Sequence, residues 1–259
     1  MKIAVVQMTS ALDPKVNLEK LDKWLTEAKD AGARAVFLPE VFYSMSNGQG
    51  PSPFLPDANT PNEHNEAIRN LALKNKIAII GGSAATKLGD QVINRAYNFE
   101  ADGTDLGFYD KRKLFACDIS TTKLTEADVY TPGHSSHIVS IDDWKVGLGI
   151  CFDLRYSEFA REYNKQGADI LTFSSAFTVP TGRAHWHTLC RARAIENQCY
   201  VIASGQWGEH NERIKTFGHS VVIDPWGEVV VDAEEGEKLV FADLSKKRVQ
   251  DVRAMVKMT

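Results

Sequence analysis

The chain has 259 residues, with Lys plus Arg at 30 and Asp plus Glu at 34, for a formal charge of −4. Apolar residues at 43% and charged residues at 25% are ordinary globular values, which exclude collagen-like, coiled-coil and disordered architectures. The mild negative charge argues against nucleic-acid binding, because phosphate contacts need a basic face. An apolar run of about 18 residues, the mark of a membrane helix, is absent, and Met1–Gln7 turns polar too soon for a signal peptide. The four cysteines (Cys117, Cys151, Cys190 and Cys199) include no Cys-x-x-Cys pair. They suggest neither a disulfide framework nor a zinc ribbon. The expectation is a single domain over residues 1–259, with reduced thiols in the cytoplasm.

Short apolar runs alternate with amphipathic ones. Ile3–Val6 reads as a buried strand. Asp13-Pro14 reads as a cap and first helical residue, Leu18, Leu21, Leu25 and Ala28 follow at helical spacing, and Gly32 stands where a helix stops. Ala35–Leu38 is a strand running into Pro39-Glu40. Thr60-Pro61-Asn62-Glu63 has the capping-box pattern and opens a helix carrying Ile68, Leu71 and Ala72. Ile77–Ile80 is a strand closed by Gly81-Gly82, and residues 94–109 read as a hairpin turning at Asp102-Gly103. A polar loop is expected over 117–134. Val146–Ile150 is a strand that meets Cys151 directly, followed by a helix over 157–166 and a strand over 170–173. A helix over 184–197 precedes strands at 200–203, 220–223, 229–231 and 239–241. The alternation implies an α/β fold, and strand-helix-strand stretches in both halves hint at internal symmetry.

Cys151 stands at a strand-to-helix junction. A sharp turn there exposes a nucleophile and aims backbone N–H groups at it, which favours a thiolate and can hold an oxyanion. Buried cysteines are also common as small hydrophobes. A free thiol near pKa 8.5 needs a base or a cation. His185 and His187 offer a Cys-His arrangement, and Glu40 at its strand end offers a carboxylate base. Lys111-Arg112-Lys113 offers cations. Spacing alone does not choose among these.

The same residues resemble the nitrilase, or carbon–nitrogen hydrolase, superfamily over essentially the whole chain. Phe37-Leu38-Pro39-Glu40 resembles its glutamate motif, Tyr109–Phe115 its lysine motif with Lys111 as the functional lysine, and Gly149–Arg155 its cysteine motif around Cys151. The three stand in order at intervals near 70 and 40 residues. Glu126, before Pro132-Gly133, matches a second glutamate of the family, while Lys113 stands where members commonly carry histidine. Ser175-Ala176-Phe177-Thr178, Thr181–Trp186, Arg191–Val201, Gly218-His219-Ser220 and Asp224–Gly227 are similar to the deaminated-glutathione amidase branch. The omega-amidase branch shares the Gly-x-Ala-His-Trp segment and usually carries Gly-Ala-Phe-Asn at 175–178.

The resemblance implies a four-layer α-β-β-α sandwich with two facing mixed sheets, commonly a homodimer, with no metal or other cofactor. It implies hydrolysis of a small carboxylate-bearing amide through a cysteine thioester, with Glu40, Lys111, Cys151 and Glu126 as catalytic residues. Phe152 supplies a backbone N–H, and Phe177 and Thr178 join it around the substrate. Deaminated glutathione is the expected substrate, with 2-oxoglutaramate, another amide or nitrile, or a non-catalytic binding role as alternatives. Arg155, Arg183 and Arg193 are the candidate receptors for a substrate carboxylate. The resemblance also makes helix packing the expected role of His185, and argues against a zinc site from His185, His187 and Cys190.

Overall fold

A computed structural model describes residues 1–119 and 122–258, with the backbone alone at 118, 119 and 122–124. The chain begins β1 (Lys2–Gln7), α1 (Pro14–Asp30), β2 (Ala35–Phe37), α2 (Glu63–Asn75) and β3 (Ala78–Ile80), and these three strands are parallel. The antiparallel β4 (Ser83–Leu88), β5 (Gln91–Phe99) and β6 (Asp105–Asp110) follow. A ribbon of β7 (Ala116–Ile119) and β8 (Thr122–Thr125) leads to β9 (Ile138–Ile141). Then β10 (Trp144–Ile150), α3 (Ser157–Lys165), β11 (Ile170–Ser174), α4 (Val179–Asn197) and β12 (Tyr200–Ala203) repeat the parallel β-α-β-α-β unit. The symmetry hinted at in the sequence is therefore present. The chain closes with β13 (Trp207–Glu209), β14 (Lys215–Phe217), β15 (Val221–Ile223), β16 (Val229–Asp232), β17 (Lys238–Asp243) and α5 (Lys246–Met255).

Two mixed sheets result. One has the order β17-β1-β2-β3-β5-β4 with β6 also on β5, and the other is β16-β15-β12-β11-β10-β9. Strand alternation sorts the side chains. Ile3, Val5, Phe37 and Ile80 of the first sheet share one core with Leu148, Ile150, Val201 and Val222 of the second. Ala4, Val6, Val36 and Ile79 face the other way, onto Leu21, Leu25 and Ala28 of α1 and Ile68, Leu71 and Ala72 of α2. Phe159, Tyr163, Trp186 and Ala194 of α3 and α4 cover the second sheet. These are the four layers expected. Gly147 and Gly149 bring α3 close: a Cβ there would lie 2.6 Å from Tyr163 Cγ and 2.9 Å from Phe159 Cε1 respectively.

Local signals explain the element ends. Asp13 caps α1 by accepting from Lys15 N–H at 2.9 Å, with Pro14 in the first turn and Gly32 at φ +79° just beyond the end. At α2 the capping box lies two residues later than expected. Asn62 accepts from His64 N–H at 2.9 Å, and Asn65 returns a bond to Asn62 N–H at 3.0 Å. Asn is the stronger cap, and Pro61 outside it directs chain entry. Helix α4 starts five residues before the expected 184, because Gly182 does not interrupt it. A Cβ at Gly182 would meet Phe217 Cγ at 2.2 Å, so the glycine admits close helix-to-β14 packing. The expected polar loop over 117–134 contains the β7–β8 ribbon and a 3-10 turn at Glu126–Asp128.

Candidate active site

The residues singled out by sequence meet at the carboxyl ends of strands, where open α/β sheets place their sites. Glu40 follows β2, Lys111 follows β6, Cys151 follows β10, and Ala176 follows β11. Lys111 Nζ donates to Glu40 Oε1 at 2.8 Å and to Glu126 Oε1 at 2.8 Å. Glu40 Oε1 also accepts from Asn94 Nδ2 at 2.9 Å, and Glu40 Oε2 accepts from Ala176 N–H at 2.8 Å. Pairing of Ile150 with Ser174 brings Cys151 to the same strand ends as Ala176. Glu126 is held by Phe115 N–H at 2.7 Å. The geometry separates the two lysines: Lys111 is 1% exposed and paired with two carboxylates, while Lys113 Nζ lies 4.5 Å over the Tyr156 ring.

Burial sets the electrostatics. It opposes the charge on Lys111, but Glu126 and Glu40 outweigh it and hold the ammonium well above its ordinary pKa. Burial raises Glu126 despite Lys111. Cys151 is pushed well above the ordinary thiol value, first by burial and then by Glu40, with Lys111 acting the other way. At rest the sulfur is a thiol, so attack requires a base at the moment of reaction. Cys151 remains 7% exposed.

Two non-glycine residues beside these groups adopt left-handed backbone. Cys151 has φ +47° and Val41, after Glu40, has φ +49°. For Val41, a β-branched residue, this is an uncommon conformation. Ser83 Oγ anchors it by accepting from Val41 N–H at 3.0 Å. The Cys151 turn rests on Asp153, which is wholly buried. Asp153 Oδ2 accepts from Ile150 N–H at 2.9 Å and Tyr109 O–H at 2.7 Å, and Oδ1 accepts from Lys113 N–H at 2.9 Å. One carboxylate therefore joins the cysteine turn to the lysine segment. Burial raises its pKa to about 6 despite those donors.

Aromatic rings stand around the cysteine turn. Phe115 and Phe152 meet edge-on at 5.4 Å, Phe152 and Tyr156 at 5.8 Å, and Phe177 and Trp186 at 4.8 Å. The Thr178 hydroxyl is paired with Thr181 Oγ1 at 2.8 Å, and the residue stands at the N-cap position of α4 without a side-chain cap bond. Arg155 lies 5.5 Å from the Phe152 ring and 5.2 Å from the Phe177 ring, and its buried Nε has no hydrogen-bond partner among the described residues. Arg193 is committed to Leu154 C=O at 2.9 Å and Glu196 at 2.8 Å, while Arg183 is exposed. His185 Nδ1 lies 3.3 Å from an Arg155 nitrogen, His187 faces Asp232, and Cys190 is wholly buried. The set His185, His187 and Cys190 does not converge. Sequence reasoning passed over Asn94, Ala176, Asp153 and Tyr109. Asp153 stands inside the cysteine motif and Ala176 inside the 175–178 segment, so a signal existed for both; Asn94 carried none.

The profile of the carbon–nitrogen hydrolase family matches residues 2–254. This chain belongs to that family. It is 35% identical to an omega-amidase of Danio rerio over 260 residues, covering 100% of this chain and 93% of that relative. It is 38% identical over 259 residues to a nitrilase and fragile histidine triad fusion protein of Caenorhabditis elegans, covering 98% of this chain and spanning 58% of that relative's length. A Saccharomyces cerevisiae member of branch 10 of the nitrilase superfamily superposes with a TM-score of 0.89 at 30% identity, over 100% of this chain and 95% of the other. Among the described residues, no helix is long and apolar enough to cross a membrane.

Proposed function

We propose that this chain hydrolyses the terminal primary amide of a small carboxylate-bearing substrate through a thioester on Cys151, releasing ammonia. The observation that carries this reading is the hydrogen-bonded chain Glu126–Lys111–Glu40–Ala176 N–H, set at the adjacent strand ends of β10 and β11, where Cys151 also stands. A base, a fixed cation and a thiol on a sharp turn suit acyl transfer. Glu40 Oε1 is occupied by Lys111 and Asn94, while Oε2 accepts only from Ala176 N–H, so in this reading Oε2 takes the thiol proton. The sulfur then bonds to the amide carbon, and the carbonyl electron pair moves to oxygen. Lys111 has three N–H donors, and its two carboxylates leave one for that oxyanion. Phe152 N–H, in the first turn after Cys151, supplies a second donor. One such donor is worth about 10²–10³ in rate. Glu40 returns its proton to nitrogen as the C–N bond breaks, and ammonia leaves. Glu40 next deprotonates a water, which hydrolyses the thioester and restores the thiol. Glu126 keeps the flexible ammonium aimed.

Arg155 is the receptor for the substrate carboxylate in this reading. It is half-buried beside Phe152 and Phe177, with an unpartnered Nε and no carboxylate within salt-bridge distance among the described residues. Relatives named omega-amidase, at 32–35% identity over 92–93% of their length, favour a short 2-oxo acid amide such as 2-oxoglutaramate. The Ser175-Ala176-Phe177-Thr178 segment supports deaminated glutathione as the second reading. Ammonia release from both compounds, from a neutral aliphatic amide and from a nitrile separates these. The proposal expects kcat/KM to be higher for the two carboxylate amides than for the neutral amide, with Arg155→Gln removing that preference. Equal rates on all substrates would overturn the carboxylate assignment, and an inactive wild-type protein would overturn the hydrolase reading.

A further inference from the structure

On the side of α4 that faces β14 to β16, His187, His219 and Asp232 come together from three separate segments. His187 lies on α4, His219 precedes β15, and Asp232 ends β16. Each offers one ligand atom, and these atoms all lie within 4.8 Å of one another. His187 Nε2 is 2.8 Å from Asp232 Oδ2, and His219 Nδ1 is 3.1 Å from the same oxygen. The two imidazoles stand 5.1 Å apart at 78°. We propose that these three side chains bind one divalent transition-metal ion of the zinc, nickel or copper class, at a site separate from Cys151.

The spacing suits such an ion. Tetrahedral zinc holds nitrogen and oxygen ligands at about 2.0–2.1 Å, which places donors roughly 3.3 Å apart. The two Asp232 contacts lie within about half an ångström of that spacing, and the three donor atoms all lie within 4.8 Å of one another. Two imidazoles and one carboxylate select borderline metals over magnesium or calcium, which prefer all-oxygen sites. Three protein ligands leave a position for water. The side chains keep 37%, 22% and 24% of their surface, so an ion can enter from solvent.

Supporting contacts orient the ligands, as outer-shell bonds do in metal sites. Asp232 Oδ1 accepts from Glu234 N–H at 2.7 Å, Oδ2 faces His187, and His219 Nδ1 lies 3.1 Å from both oxygens. His219 donates its own N–H to Glu234 C=O at 3.0 Å and accepts at its carbonyl from Trp186 Nε1 at 2.6 Å. The Phe217 ring lies against the His219 ring at 4.4 Å and 22°. Burial opposes ionisation of Asp232, yet His187, Glu234 N–H and His219 bring its pKa down to about 2. Each imidazole moves its hydrogen to its other ring nitrogen when the ion enters, so acid weakens binding by competition. The ion would tie α4 to the end of β16 across the turn before β15.

The test is isothermal titration of the full chain with zinc or nickel chloride, in a Cys117→Ser background that removes the half-exposed thiol. Magnesium chloride is the control. One equivalent should bind, with no magnesium response, and Tm should rise by roughly 5 °C at a hundredfold excess over Kd. His187→Gln and Asp232→Asn should each weaken binding by at least about tenfold. Stoichiometric binding that neither substitution alters would overturn the proposal, as would no binding at all. Since either substitution also removes contacts at the β16 end, a second measurement uses the wild-type ligands. The copper(II) electron paramagnetic resonance spectrum should show coupling to two imidazole nitrogens, and a spectrum without nitrogen coupling would overturn the assignment.

Discussion

Replacing Asp153 by Asn keeps its volume while removing the charge beneath the Cys151 turn. The carboxylate accepts from three donors, Ile150 N–H, Tyr109 O–H and Lys113 N–H. An amide has a single acceptor oxygen, so either orientation sets an NH2 group against a buried N–H. Leaving one buried donor unsatisfied costs about 1–3 kcal/mol. In a chain of this size that lowers Tm by roughly 2–10 °C at neutral pH. The pH dependence is more discriminating. Folding raises Asp153 from 3.8 to about 6. Between those values the unfolded chain has released its proton while the folded chain keeps it. Stability from this group is therefore full below the unfolded value and is lost as pH rises through the folded one. Two pKa units amount to about 3 kcal/mol. Asn does not titrate, so the stability gap between wild type and Asp153→Asn should be widest near pH 4 and narrow by up to about 3 kcal/mol at pH 7. Guanidinium melts across that range measure it. A gap that stays flat or widens with pH would refute the reasoning.

Other substitutions probe separate parts of the account. Lys111→Met leaves Glu40 and Glu126 close together without their shared cation. It should cost about 3–5 kcal/mol in denaturant melts and lower kcat by at least about 10²-fold. Asn94→Leu removes one donor from Glu40 Oε1 while leaving the Ala176 bond. A hydrogen bond to a charged group is worth about 1.5–3 kcal/mol, so kcat should fall by roughly 10- to 150-fold in steady-state ammonia release, with a smaller change in KM. Gly149→Ala drives a Cβ to 2.8 Å from Phe173 and 2.9 Å from Phe159. The strained packing should cost about 1–3 kcal/mol, read as a lower denaturation midpoint.

Much of the fold was legible because long apolar strands and capped amphipathic helices each declare their own period. β1, β10 and β11 are mostly apolar, and α1 has its cap, its stripe and its terminal glycine. The elements that escaped notice are short or sparse. β13 and β14 have three residues each, and α5 buries only Val249 and Val252 among its apolar positions. The start of α4 was obscured by Gly182, whose reason is a long-range contact with Phe217 that no local pattern contains. In the candidate site, Glu40, Lys111, Glu126 and Cys151 could be singled out in advance because they sit in recognisable motifs. Asn94 and the Ala176 N–H were not, because their importance arises only when β5 and the end of β11 are brought to Glu40. A backbone donor has no side-chain signature at all.

The central claim is that the Cys151 sulfur forms an acyl bond with the help of Glu40. Rapid-quench intact-mass spectrometry during turnover of 2-oxoglutaramate or deaminated glutathione tests it most directly. The wild-type protein should gain the mass of the acyl group, mapped to the peptide containing Cys151. Cys151→Ala should show no adduct, and Glu40→Gln should form it far more slowly. Ammonia release by Cys151→Ala at the wild-type rate, or an adduct mapped to another residue, would contradict the account.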